Sequence, residues 1–296
     1  MDPTTTCCPH QPCPARGHTG QGTLGLHAQQ AQRCICHACH HTCSARQGTV
    51  CSRLRTSAET VVRVVTLLAH GCPGHAMMAA CGGDERTVAA WWARSGRQGQ
   101  AVQADLVEQP RDLGQGQADA LRVKQQGGIV WMALAMMVKT RVWLGGEVSA
   151  QRAMPLIRRL LARVRRCATH RPLWVCTEGL CASIRTMRAT LRDPGHTDMG
   201  GRPRLRAWRH ILMAQVRKRS ERRRVVETAR RLVDGAPARV ETLRRRSPGD
   251  GVITTADMER RHATCRARLA PLARRCRALA RPTLTLPEGM CVMGTV

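Results

Sequence analysis

Gln117-Ala-Asp-Ala-Leu-Arg-Val-Lys124, Gly128-Ile-Val-Trp-Met-Ala-Leu-Ala-Met-Met-Val138 and Arg141-Val-Trp-Leu-Gly-Gly-Glu-Val148 follow one another in mid-chain. Each run is short, rich in Val, Leu and Met, and bounded by Gly-bearing or basic turns, which is the pattern of β-strands. Turns this short leave no room for a crossover, so the three strands are expected to form an antiparallel meander. Ala153 to Arg166 then carries apolar residues at helical spacing, Pro172 to Thr177 is a short continuous apolar strand, and Leu180 to Leu191 reads as a second helix. Three strands, helix, strand, helix predicts an α/β domain with a mixed sheet and flanking helices, starting near residue 113 and running to 296.

Upstream of Pro110 the periodicity changes. Val61, Val64, Val65 and Leu68 recur at three- and four-residue spacing until Gly71-Cys72-Pro73-Gly74 interrupts them. His75 to Cys81 is a second short helix ended by Gly82-Gly83. Asp84 is a natural N-cap for a third, Arg86 to Arg94. Three short helices on tight turns over residues 55–112 are the layout of a helix-turn-helix. Residues 1–52 differ again, with half of the 16 cysteines and no apolar periodicity. Cys8-Pro-His-Gln-Pro-Cys13 and Cys36-His-Ala-Cys39 are separated by 22 residues. Four thiolates on two tight turns suit a tetrahedral zinc ion, and the separation suits a ribbon.

Lys and Arg number 48 against 20 Asp and Glu, a net charge of +28. An imbalance of that size calls for a polyanionic partner, and nucleic acid is the first candidate. The longest apolar run, Ile129 to Val138, is too short to span a bilayer, and no basic-then-apolar leader opens the sequence. The expected setting is therefore the cytoplasm, on DNA. Arg86, Arg94 and Arg97 on or after the third helix are candidate DNA contacts. So are Arg202, Arg204, Arg222, Arg223 and Arg224 in the basic stretch 193–251, which reads as an insertion that tracks the phosphate backbone. Phe, Tyr and Asn are absent, and only Lys124, Lys139 and Lys218 among the basic residues are lysine. Without Phe or Tyr the core depends on Leu, Val, Met and six Trp.

Three acids fall at telling places: Asp119 in the first strand of the sheet, Glu178 after the fourth, and Glu259 in Asp257-Met-Glu-Arg-Arg-His262 on a long final helix expected from Thr255 to Arg277. Carboxylates at those three sites of an RNase H-like domain clamp divalent metal ions around a phosphodiester. The segments Gln117 to Lys124, Gly128 to Ala135, Cys176-Thr-Glu-Gly179 and Met258-Glu-Arg-Arg-His262 resemble the catalytic domain of bacterial insertion-sequence DDE transposases of the "IS one" type. Thr42-Cys-Ser-Ala-Arg46 is similar to the run that ends the zinc ribbon of that group, and Glu59 to Leu68 and Asp84 to Trp91 resemble its DNA-binding helices.

The resemblance implies an RNase H-like fold behind a zinc ribbon and a helix-turn-helix. It implies magnesium or manganese held by Asp119, Glu178 and Glu259, structural zinc on Cys8, Cys13, Cys36 and Cys39, and a homo-oligomer acting on terminal inverted repeats and target DNA. The chain departs from the family's pattern at three points. Asp119-Ala120 stands where the family has Asp-Glu, Thr177-Glu178-Gly179 where it has Thr-Asp-Gly, and Glu259-Arg-Arg-His262 where it has Glu-Arg-x-Asn. Those departures leave a second reading open, a DNA-binding protein without catalysis.

Overall fold

The computed structural model of the chain describes residues 2–295 except 31, 126–127, 170, 179–181, 196–203, 209, 223, 247–251, 270–271 and 273–284. At the N-terminus β1 (Leu24–Ala28), β2 (Arg33–Cys36) and β3 (Thr42–Ser44) form a three-stranded antiparallel sheet. Among the described residues its interior holds Cys8, Cys13, Cys34, Cys36 and Cys43 with Leu24 and Ala15, and Cys39 packs against them. So little hydrocarbon cannot offset the entropy of ordering the segment. Cys34 and Cys43 face each other across β2 and β3 as small buried residues.

Three helices follow: α1 (Ala58–Ala69), α2 (Gly74–Cys81) and α3 (Glu85–Val102). Ser57 caps α1, its hydroxyl accepting from the Thr60 amide, and the Asp84 carboxylate caps α3 by accepting from the Arg86 amide at 2.7 Å. Gly82, at φ 63°, closes α2 in the left-handed conformation that glycine adopts without strain. Val61, Val64, Met77, Val88 and Trp91 make the small core that these helices share. The third helix is twice as long as its apolar pattern suggests, because its second half packs on α8 (Thr285–Thr295).

The main sheet has six strands in the order β11-β10-β7-β4-β5-β6. β4 (Gln115–Gln125), β5 (Gly128–Met137) and β6 (Trp143–Ser149) are the antiparallel meander. After α4 (Met154–Cys167), β7 (Leu173–Glu178) returns parallel to β4, in the centre of the sheet. Burial on both faces explains why Leu173-Trp-Val-Cys-Thr177 reads as a continuous run without alternation. α5 (Ala182–Thr190) and the short pair β8 (Arg192–Pro194) and β9 (Leu205–Ala207) come next. β10 (Ile211–Glu221) then lies parallel to β7, and β11 (Arg224–Asp234) closes the edge antiparallel to β10.

The basic stretch expected as an insertion therefore supplies two strands of the sheet, and α6 (Pro237–Arg246) besides. Leu156, Ile157, Leu160, Leu161 and Val164 of α4 cover one face of the sheet. α7 (Ala256–Arg268) and α8 cover the other. The described part of the expected final helix ends at Arg268, followed by an extended Leu269, while 270–271 and 273–277 lie outside the described residues. The apolar tail is itself a helix, buried between the sheet side, where Leu286, Met290, Cys291 and Met293 pack, and the core of α1 to α3, where Val292 packs. Among the described residues no helix is long and apolar enough to cross a membrane.

α3 and α8 approach closely at two glycines. A Cβ at Gly96 would lie 2.4 Å from the Cβ of Glu288 and 2.7 Å from its Cα, and one at Gly99 would lie 3.1 Å from the Cys291 carbonyl carbon. Gly96→Ala is thus expected to push α8 off α3 and cost roughly 1–3 kcal/mol, more than the helix propensity gained. A denaturation midpoint equal to or above that of the parent would contradict this seam.

Candidate functional site

Strand register assembles a cleft from four distant parts of the chain. Residues paired across neighbouring strands face the same way, and successive residues alternate. Ala118 pairs with Thr177, so the next positions, Asp119 and Glu178, stand side by side on the opposite face. Glu178 in turn pairs with Val216 of β10, and Lys218, two residues on, shares that face. α7 lies over it and presents Glu259 and His262, three residues apart, from the same side of the helix. With Leu121, Arg122 and Arg266 these residues line an open cleft of about 380 Å3.

A lysine occupies the middle of the acids. The Lys218 ammonium bonds the Glu259 carboxylate and lies 3.9 Å from Glu178 Oε1. Glu259 also accepts from the Thr255 hydroxyl at 3.1 Å. On the other side His262 Nδ1 is 3.5 Å from Asp119 Oδ2, with both side chains more than nine-tenths buried. Burial, and then the neighbouring Glu178, push the Asp119 carboxyl up to about 7. Burial and the Arg266 guanidinium hold His262 down at about 4, against the pull of Glu259. Among the described residues the buried His262 Nε2 has no hydrogen-bond partner.

Gln117, two residues before Asp119 and 1% exposed, fixes the helix above the cleft. Its amide oxygen accepts from the Met258 amide at 2.9 Å and its amide nitrogen donates to Asp257 Oδ2 at 3.1 Å. The start of α7, and Glu259 with it, is thereby tied to β4. Gln117 does not stand out in the sequence. The one signal for Lys218 is the rarity of lysine, three of 48 basic residues.

A second cluster sits in the N-terminal sheet. Cys8, Cys13, Cys36 and Cys39 bring their sulfurs within 4.8 Å of one another, at 3.6 Å for Cys8 to Cys39 and again for Cys13 to Cys36. These are no disulfide lengths. A tetrahedral ion about 2.3 Å from each sulfur would space them about 3.8 Å apart, so the four could hold a metal. Burial pushes the Cys8 thiol up to about 12. Burial also acts to raise Cys36, but the Cys39 and Ala38 amides outweigh it and hold that thiol at about 7. His10 and His41 stack alongside at 3.9 Å and converge on Cys39.

The arginines expected on DNA separate into groups. Arg94 does not face outward: its guanidinium donates to the Val50 and Ser52 carbonyls at 3.0 and 2.6 Å and ties α3 to the end of the N-terminal segment. Third-helix periodicity could not reveal that, because its partners lie more than forty residues back. Arg97 is exposed and 3.9 Å from Glu288. Arg86, Arg204, Arg222 and Arg224 are exposed, and Arg202 and Arg223 lie outside the described residues. Trp91 is buried and Trp92 half-buried, so neither is a stacking platform. No model of a known protein family matches the chain, and a search of curated proteins finds no match.

The two buried groups have opposite effects on stability. The folded state raises Asp119, so its contribution is favourable below its ordinary value near 4 and is lost as pH rises through about 7. It lowers His262, whose contribution is favourable above about 6.5 and is lost as pH falls towards 4. Removing only the acid should expose the imbalance. Asp119→Asn is expected to raise the melting temperature relative to the parent more at pH 8 than at pH 5. An equal difference at both would show that Asp119 is not held protonated.

Proposed function

We propose that this protein is a metal-dependent phosphodiester-cleaving enzyme with an RNase H-like catalytic domain. More particularly, we read it as an insertion-sequence DDE transposase of the "IS one" type, which cuts and joins DNA ends. The observation that carries the reading is the convergence of Asp119, Glu178 and Glu259 on one open cleft rimmed by Arg122 and Arg266. The strand order supports it, with the first and fourth strands of the domain adjacent at the centre and the three acids on those strands and the covering helix.

Magnesium or manganese fits this donor set. Two of the acids already share a cation, the Lys218 ammonium, and the third is kept partly protonated beside its neighbour, as carboxylates are that await positive charge. Asp119, Glu178 and Glu259 would hold the ion, which when bound activates water or a 3′-hydroxyl for in-line attack and steadies the leaving oxygen. Gln117 keeps Glu259 over the sheet, His262 stands against Asp119, and Arg122 and Arg266 neutralise the incoming phosphate backbone.

The four sulfurs are read as a structural zinc site that folds residues 1–52, and α1 to α3 as a helix-turn-helix in which Arg86 meets the duplex. Terminal inverted repeats and target DNA are the partners of this reading, and two ends handled together call for a homo-oligomer. The bacterial cytoplasm, at the nucleoid, is its setting. A DNA-binding protein without catalysis is favoured by one observation, the ammonium already seated between Glu178 and Glu259.

Purified protein is expected to carry one zinc per chain and to lose it, with melting of the N-terminal sheet, on chelation. Equal zinc content in the Cys36→Ser, Cys39→Ser double variant would remove the assignment. DNA cleavage should require magnesium or manganese. Asp119→Ala and Glu259→Ala are expected to lower it by about a hundredfold or more while DNA affinity is kept. Undiminished cleavage in either variant would sink the catalytic assignment. DNA binding without metal-dependent cleavage by the parent protein would favour the second reading.

A further inference from the structure

β10 and β11 run on beyond the sheet. Among the described residues β7 accompanies β10 as far as the Val216–Glu178 pair. Past it, Arg217 to Glu221 and Arg224 to Ala229 continue the ladder between β10 and β11. This ribbon is exposed except at Lys218 and Thr228, which are half-buried. Its sequence, Arg217-Lys-Arg-Ser-Glu-Arg-Arg-Arg224, has six basic residues and one acid. Just after the turn, Val225 and Val226 are 56% and 49% exposed. A two-stranded ribbon is marginal by itself, and adjacent exposed valines on the edge strand β11 invite a covering partner.

Charge and dimensions select that partner. A second copy would bring the same cluster of arginines against it, whereas a polyanion neutralises them. The root of the ribbon is Lys218, inside the carboxylate cleft, and Arg222 at the turn is four residues on, about 14 Å at strand spacing. The major groove of B-form DNA is about 12 Å wide and 8.5 Å deep and admits a two-stranded ribbon.

Building on the DNA-cleaving reading above, we propose that the β10–β11 ribbon is an arm that enters the major groove of duplex DNA beside the phosphodiester held over the cleft. Arg222 and Arg224 contact phosphates on the groove walls, and Val225 and Val226 rest on the base edges at its floor.

The test uses the full chain and two fluorescein-labelled duplexes of one mixed sequence. In the second duplex every cytosine is a glucosylated 5-hydroxymethylcytosine, whose sugar fills the major groove. The parent protein should bind the plain duplex with steep salt dependence and the glucosylated one roughly tenfold or more weakly. Arg222→Ala with Arg224→Ala should lower the slope of log affinity against log salt by about two, near 0.9 per phosphate contact. Val225→Ser with Val226→Ser should keep the slope and narrow the gap between the duplexes. All four positions are exposed, so circular dichroism should report an unchanged fold.

If both double variants bind the two duplexes as the parent does, the arm is overturned while DNA binding stands. If the parent ignores the glucose, the major-groove placement is overturned. If the parent binds neither duplex, the arm fails together with the reading it rests on. A change from dimer to monomer in the valine variant, with DNA binding untouched, would assign the ribbon to a second copy and overturn the DNA arm.

Discussion

The parallel pairing of β4 with β7 is the contact on which the rest of this domain depends. It is short, running from Gln115 opposite Trp174 to Ala118 opposite Thr177. It nevertheless joins the meander β4-β5-β6 to the strands β7, β10 and β11, which the chain reaches only after α4. Because strand faces alternate with period two, a slip of one residue would turn either Asp119 or Glu178 to the other face of the sheet. Two features hold the register. Ala118 and Val175 pack into the core under α4. Gln117 spends both ends of its amide on the first turn of α7. A buried amide satisfied at both ends is costly to dislodge, since any slip would leave its groups unpaired.

The cleft that this register creates is a region of electrostatic conflict. Three carboxylates are gathered in one cleft, and their repulsion is relieved by Lys218, by Arg122 and Arg266 at the rim, and, below about pH 7, by a proton on Asp119. A core residue of the same size would suit the fold better, so the arrangement has the character of a site whose function opposes stability. Lys218 belongs to β10, the strand that also carries the exposed ribbon. The same strand therefore meets the acids at its middle and extends basic side chains outward from them.

Packing shows what the absence of Phe and Tyr requires. The largest fully buried side chains are Trp174, several leucines, and Met132, Met187, Met213 and Met258. Where flat rings would have filled the space, helices come closer together, as α3 and α8 do at Gly96 and Gly99. Flexible methionine fills the irregular gaps that remain. The N-terminal sheet carries this furthest, since cysteine is most of its interior.

The sequence by itself determined the elements and the donors. Periodicity placed α1, α2, the meander, α4 and β7 within a few residues of where they lie. Cys spacing picked out the four sulfurs that converge, because local turns set both pairs and local chemistry is written locally. Asp119, Glu178 and Glu259 were legible as acids at strand and helix positions of a recognisable order. Only the tertiary structure decided what surrounds them. Lys218 reaches Glu259 across 41 residues of chain and Gln117 reaches Asp257 across 140, distances over which no periodicity carries information. It also turned Arg94 from a DNA candidate into a brace, drew the basic stretch into the sheet, and made a buried helix of the apolar tail. In each case the outcome depends on which distant surface a segment meets, and that is fixed by packing and not by the segment's own residues.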